Sequence, residues 1–249
     1  MSFSLEPALR SLAGDAGTDG ALLIVELVTE ALGDQMAAEW LRSRDVSRGN
    51  DLPRAQVLVE SMPATAGHPD WKPLSKLCVL LRVPDSRMAE EAVAGLGIPP
   101  VGARWSVTTY RPMSPVATTE NTPVGTHAVQ IAMEPDPPLT GGRDRHAVLI
   151  ESDCEAGRVD SFNRWYDEVH IPDVLASPGY RAAWRLELEG HVPGRSRYLT
   201  VYEVHADDVG TVYAHRVRRR LAEAKVGAYA GDTGLISYGA AGYRLVSRP

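Results

Sequence analysis

Cysteine is nearly absent. Cys78 and Cys154 are the only two in 249 residues, so neither a disulfide framework nor a thiolate metal cluster can carry the fold. Neither has a second cysteine or a histidine at metal-ligand spacing, and each lies in or beside an apolar run, where a free thiol acts as a small core residue. The pair points to a reducing compartment, although the sequence alone leaves a bridge between them open. Long hydrophobic runs are lacking too. No stretch approaches the ~20 apolar residues that cross a bilayer, and Met1 to Gly20 carries acids and glycines where a secretory signal needs an apolar centre. These absences predict a soluble, cytoplasmic protein with no membrane partner. Positive charge is in deficit, with 26 Lys and Arg against 32 Asp and Glu and a formal net charge of −6, which argues against nucleic acid as a partner. The one basic run, Arg216 to Arg220, sits in a helical pattern and reads as a solvated helix face. Also missing are a Gly-rich phosphate loop, a nucleophile elbow and a His-x-x-x-His pair. No nucleotide, metal or other cofactor is therefore expected, with haem left open because a single axial histidine leaves no motif.

What is present is ordinary globular composition, 44% hydrophobic and 23% charged, in a chain long enough for one large domain or two smaller ones. Leu22 to Val28 reads as a buried strand, and Gln35 to Leu41 as a helix with Met36, Ala37, Trp40 and Leu41 at three- and four-residue steps. Strands follow at Ala55 to Glu60 and Leu77 to Arg82, then a helix from Met88 to Leu96 and a strand from Trp105 to Tyr110. The order is β-α-β-β-α-β. Residues 112–145 are punctuated by five further prolines after Pro112 and the Gly141-Gly142 pair, as a boundary is, with His127 to Met133 as an island of strand-like alternation. The order then repeats. His146 to Glu151 is a strand, Asp160 a candidate N-cap for a helix over Ser161 to His170, and the Ser177-Pro178-Gly179 turn leads into a strand from Tyr180 to Leu188. Tyr198 to Val204 is the next strand, Asp207 or Asp208 caps a helix to about Lys225, and Leu235 to Val246 supplies the last strand or pair of strands.

The halves also align. Trp40 and Trp165 are 125 positions apart (165 − 40), as are Pro53 and Pro178 (178 − 53), and Tyr110-Arg111 and Tyr243-Arg244 each close a last strand. The expected fold is α+β: two ferredoxin-like β-α-β-β-α-β repeats, residues 1–111 and 146–249, whose four-stranded sheets pack into an intrachain barrel, a pseudo-dimer.

The stretch richest in chemistry is Asn163-Arg164-Trp165-Tyr166-Asp167-Glu168-Val169-His170-Ile171-Pro172. On a helix, Phe162, Trp165, Tyr166 and Val169 form one apolar face and His170 lies one turn beyond Tyr166. Pro172 disfavours helix at Ile171, which places His170 near a helix C-terminus, where the dipole and the carboxylates of Asp167 and Glu168 would raise its pKa and burial would lower it, the two leaving it near neutrality. Such a histidine serves as a general acid or base, or merely caps the last carbonyls; spacing does not separate the two. Alternation puts Tyr180, Ala182, Trp184 and Leu186 on one strand face and Tyr198, Thr200 and Tyr202 on a face of the next, so Trp184 and Tyr202 are candidates to line one aromatic pocket.

The run Trp165 to Pro172, followed by Leu175 and Pro178-Gly179-Tyr180, resembles the EthD-like branch of the dimeric α+β-barrel superfamily, in which a Trp-Tyr-x-x-x-His-x-Pro segment ends the first helix and a Pro-Gly-aromatic turn opens the second strand. The resemblance covers about 25 residues closely and the rest of the second half loosely. It implies a cavity between helix and sheet with His170 at its mouth, His170, Asp167 and Tyr166 as catalytic groups, and Trp165, Trp184, Tyr202 and Tyr180 against a small hydrophobic or aromatic metabolite. In the first half Asp45 stands where the histidine would fall, so that half keeps the fold without the site. The reading is a cofactor-independent lyase, cyclase or decarboxylase of aromatic or polyketide-type metabolism, with a cofactor-free monooxygenase and a non-catalytic binding or stress-response protein as alternatives. Association of chains as a homodimer stays open.

Overall fold

The computed structural model describes residues 20–29, 55–60, 77–83, 86–95, 98–99, 103–114, 117–119, 122, 145–225 and 235–245. The expected helix at Gln35 to Leu41, Trp40, Asp45 and the island at His127 to Met133 lie outside them.

Among the described residues there are nine strands: β1 Ala21–Thr29, β2 Ala55–Glu60, β3 Leu77–Val83, β4 Ala103–Pro112, β5 Ala117–Thr118, β6 Arg145–Cys154, β7 Tyr180–Leu188, β8 Tyr198–His205 and β9 Leu235–Leu245. They form one antiparallel sheet in the order β4-β1-β3-β2-β9-β6-β8-β7-β5, and β4 pairs again with β7, so the sheet curls back on itself. Within residues 21–112 the order is fourth, first, third, second strand, and within residues 145–245 it is the same, leaving out the two-residue β5. Register repeats as well. Leu22 faces Tyr110 across β1 and β4, and Ala147, 125 positions on (147 − 22), faces Tyr243 across β6 and β9.

Curling encloses one face. Leu22, Ile24, Leu80 and Tyr110 from the first half meet Leu149, Trp184, Leu186 and Leu199 from the second there, in a single buried core. The outer face of the second half packs a second core, where Phe162, Trp165, Tyr166, Ile171 and Leu175 cover Tyr198, Tyr202 and Val204. A strand covered on both sides needs apolar or β-branched residues throughout rather than alternation, and seven of the eight residues of β8 are buried.

The helices are α1 Ala89–Gly95, α2 Val159–Trp165, α3 Ile171–Leu175 and α4 Val209–Lys225; a π turn, Tyr166–His170, joins α2 to α3. None among the described residues is long and apolar enough to cross a membrane. The helix expected to stop at His170 instead runs on: His170 and Ile171 have φ, ψ of −69°, −49° and −60°, −50°. Pro172 falls at the start of α3, directly after the π turn. Asp160 is not the cap of α2; Arg158 holds that position, with no side-chain cap, and Ser161 Oγ donates to its carbonyl at 2.9 Å. Asp208 does cap α4, accepting from the Gly210 N–H at 2.9 Å and the Thr211 hydroxyl at 2.6 Å. Gly179 has φ +89°, and a Cβ there would stand 3.2 Å from the His205 carbonyl, so the turn into β7 requires glycine. Cys78 and Cys154 are both free thiols.

Candidate functional site

Five residues of α-helix turn through about 500°, leaving residues i and i+5 about 140° apart. A π turn closes i→i+5 instead and brings such residues onto one side. That is how His170 comes to stack on Trp165, with ring centroids 4.8 Å apart and planes 25° from parallel. Its edge meets the Tyr166 ring at 4.7 Å and 69°. The sequence gives no sign of this wide turn, and without it the histidine would leave Trp165.

His170 therefore lies mid-helix, away from any C-terminal carbonyls that would favour a cation. Burial holds its pKa well below the ordinary histidine value, and the guanidiniums of Arg216, Arg220 and Arg185 push in the same direction. The imidazole is neutral at pH 7. This overturns the expectation that a dipole and two carboxylates offset burial and keep it near neutrality. Asp167 instead pairs with Arg185, Oδ1 to Nη1 at 2.9 Å, and Glu168 is exposed.

Arg185 is the organising residue under the helix. Its side chain is 1% exposed, with Nη1 on Asp167 and Nη2 donating to Asn163 Oδ1 at 2.8 Å. The guanidinium lies 4.4 Å from the Tyr166 ring centroid, 5.5 Å from that of Tyr198 and 5.7 Å from that of Phe162, so its charge is met by one carboxylate oxygen, one amide oxygen and three π faces. Tyr166 is buried, and its hydroxyl accepts from Thr200 Oγ1 at 3.0 Å. Tyr180 and Tyr202 meet edge to face at 5.7 Å. Burial pushes both hydroxyls up, strongly for Tyr202, while Arg216 pulls the other way; Tyr213 is raised to about 12. On α4, Arg216 pairs with Asp173 and Arg219 stands 3.9 Å from the same carboxylate.

Of the residues singled out by sequence, Trp165, Tyr166, His170, Tyr180 and Tyr202 gather between helix and sheet. Asp167 is at the edge of the group as the counter-ion of Arg185. Trp184 is not part of it. It faces Val201, whereas Tyr202 faces Ala183, so the two proposed pocket aromatics occupy opposite faces of the sheet. Tyr180 also leaves the face of Ala182 and Trp184, because the register shifts between Tyr180 and Ala182. The basic run is likewise no solvated face at its start: Arg216 is buried. Its signal was available, since Val209, Val212 and Arg216 follow helical spacing on the buried side of α4. Arg185 was masked by strand alternation, which marks a polar face but not that a helix covers it.

No protein-family model matches the sequence, and no curated protein matches it. Solved structures do resemble the fold. A DyP-type peroxidase from Cellulomonas bogoriensis is 14% identical over 92% of this chain and 90% of that one, with a TM-score of 0.52. A DypB variant from Rhodococcus jostii RHA1 in complex with haem is 9% identical over 93% and 94%, with a TM-score of 0.50. An anthrone oxidase-like protein is 16% identical over 92% of each chain, at a TM-score of 0.48. The fold neighbours are dimeric α+β barrels, and at these identities the likeness is one of fold.

Proposed function

We propose that the chain is an EthD-like, tandem two-repeat member of the dimeric α+β-barrel group, and that it works as a cofactor-independent enzyme with His170 as general base. One observation carries this reading: the imidazole is kept neutral by burial and by Arg216, Arg220 and Arg185 while stacked on Trp165 and set against Tyr166. A neutral imidazole takes a proton at pH 7, and nearby guanidiniums favour the anion that the substrate becomes. The proton moves from an acidic C–H or O–H of the substrate to the ring nitrogen, leaving an enolate or phenolate. The anion then expels a leaving group with its electron pair or closes a ring, and the imidazolium returns its proton to the product or leaving group. An aromatic or polyketide-type metabolite suits the aromatic surroundings and acidifies the proton that is removed. The repeated strand order and the repeated Leu22–Tyr110 and Ala147–Tyr243 register support the duplicated unit.

The test is deuterium wash-in. Phenolic and 1,3-dicarbonyl polyketide-type compounds are incubated with the protein in D2O and followed by 1H NMR. The native protein is expected to speed exchange at the acidic position, and His170→Gln to lose about 10²–10⁴-fold of that rate. Equal rates in a folded variant would leave His170 a packing residue and the protein a binder. Oxygen consumption in step with turnover would move the reading to a cofactor-free monooxygenase, which shares the first step.

A further inference from the structure

The enclosed core is not apolar throughout. At one end Glu26 on β1 and Glu151 on β6 share the inner face with Ile24 and Leu149, and they are 4% and 5% exposed. Their places match between the halves: each lies four residues past the strand residue that faces an inner tyrosine, Leu22 opposite Tyr110 and Ala147 opposite Tyr243. Arg195, from the loop between β7 and β8, reaches both carboxylates. Its Nη1 is 3.2 Å from Glu151 Oε1 and its Nη2 pairs with Glu26 Oε2. The Tyr110 hydroxyl donates to the same Glu151 oxygen at 3.3 Å.

The loop that carries Arg195 is anchored at its ends, and between them the Arg195 N–H donates to the Val192 carbonyl at 3.1 Å. Leu188 N–H donates to the Arg197 carbonyl at 2.7 Å, Glu189 N–H to the Thr109 carbonyl at 2.9 Å, and Arg197 N–H to Asp153 Oδ1 at 2.8 Å. Between these points Gly190 and Gly194 adopt φ of +76° and +80°, and His191, Pro193 and Gly194 are exposed.

We propose that Arg195 is a pH-sensitive latch, its grip on the Glu26 and Glu151 carboxylates pinning the 190–196 strap against the end of the enclosed core and protonation of that pair releasing it. Taken together, two carboxylates and one guanidinium carry one negative charge in excess when both acids are ionised, and a buried site resists that state. Burial accordingly pushes Glu151 up to about 7, with Asp153 adding to the shift and the Tyr110 hydrogen bond opposing it. Arg195 at 3.2 Å favours the ionised form as well. Burial holds the Tyr110 hydroxyl and the Cys78 thiol of β3 up, and Tyr243 of β9 lies near Arg195. As pH falls, the pair gains a proton, Arg195 loses half of its anionic partner, and the strap loosens.

The experiment uses the whole chain. Backbone amide exchange of strap residues 190–196 is measured from pH 6 to 8, corrected for intrinsic exchange, beside the 13C carboxyl titration of Glu151. Strap protection is expected to fall several-fold from pH 8 to pH 6 with the midpoint of the Glu151 titration, and in Glu151→Gln to stay at the low level throughout. Protection that ignores pH, or that changes with a different midpoint in the native protein, would overturn the latch whether or not the variant folds.

Discussion

Glu151→Gln gives the sharpest stability test, because burial of the carboxyl gives the effect its sign. The carboxyl is 5% exposed and its pKa is lifted from 4.5 to about 7, chiefly by burial. A carboxyl raised on folding is held protonated in the folded chain while the unfolded chain ionises. Stability therefore falls as pH rises from about 4.5 to about 7 and levels off above. At roughly 1.4 kcal/mol per tenfold change in proton affinity, the whole descent is worth about 3 kcal/mol. Glutamine is neutral at every pH and keeps the shape, and Arg195 retains Glu26 as its partner. Urea unfolding of both proteins at pH 5, 6, 7 and 8 should show the variant close to the native protein at pH 5 and about 3 kcal/mol ahead of it at pH 8, with unchanged denaturant slopes. A difference that stays flat across this range would refute the burial of a titrating carboxyl.

Arg216→Gln removes one of the guanidiniums that depress His170 and leaves Asp173 nearby, so the histidine pKa should rise in a 1H–15N NMR titration. It should still stop short of the ordinary value, because burial is the larger cause. Gly179→Ala places a Cβ at φ +89° and 3.2 Å from the His205 carbonyl, and should cost about 1–3 kcal/mol, read as a lowered melting temperature.

Much of the strand framework was legible. The segments Ala55 to Glu60 and Leu77 to Arg82 match β2 and β3 to within a residue, because short runs of β-branched and leucine residues between breakers have few other folds open to them. Leu22 and Ala147 each stand opposite a tyrosine, Tyr110 and Tyr243, while Trp40 and Pro53 lie outside the described residues. Local signals failed where a tertiary choice decided the outcome. Pro172 reads as a stop, yet a π turn shifts the helix by one residue and carries it through to Leu175. Trp184 and Tyr202 read as pocket mates, but which face of one strand adjoins which face of the next depends on register and on the shift at Tyr180. Charges inside the core were the hardest to see. Glu26 and Glu151 interrupt apolar strands as a solvent-facing residue would, and only the curling of the sheet puts them inside.

The central claim is that His170 is neutral and takes a proton from its substrate. The pH dependence of deuterium wash-in, measured on the native protein and on His170→Gln, tests it most directly. A folded-state pKa held well below the ordinary histidine value predicts native exchange that is already at its plateau at pH 7 and declines only in acid, with the variant slow at every pH. Native exchange still climbing through pH 7 with the titration of a histidine, or a variant as fast as the native protein, would contradict it.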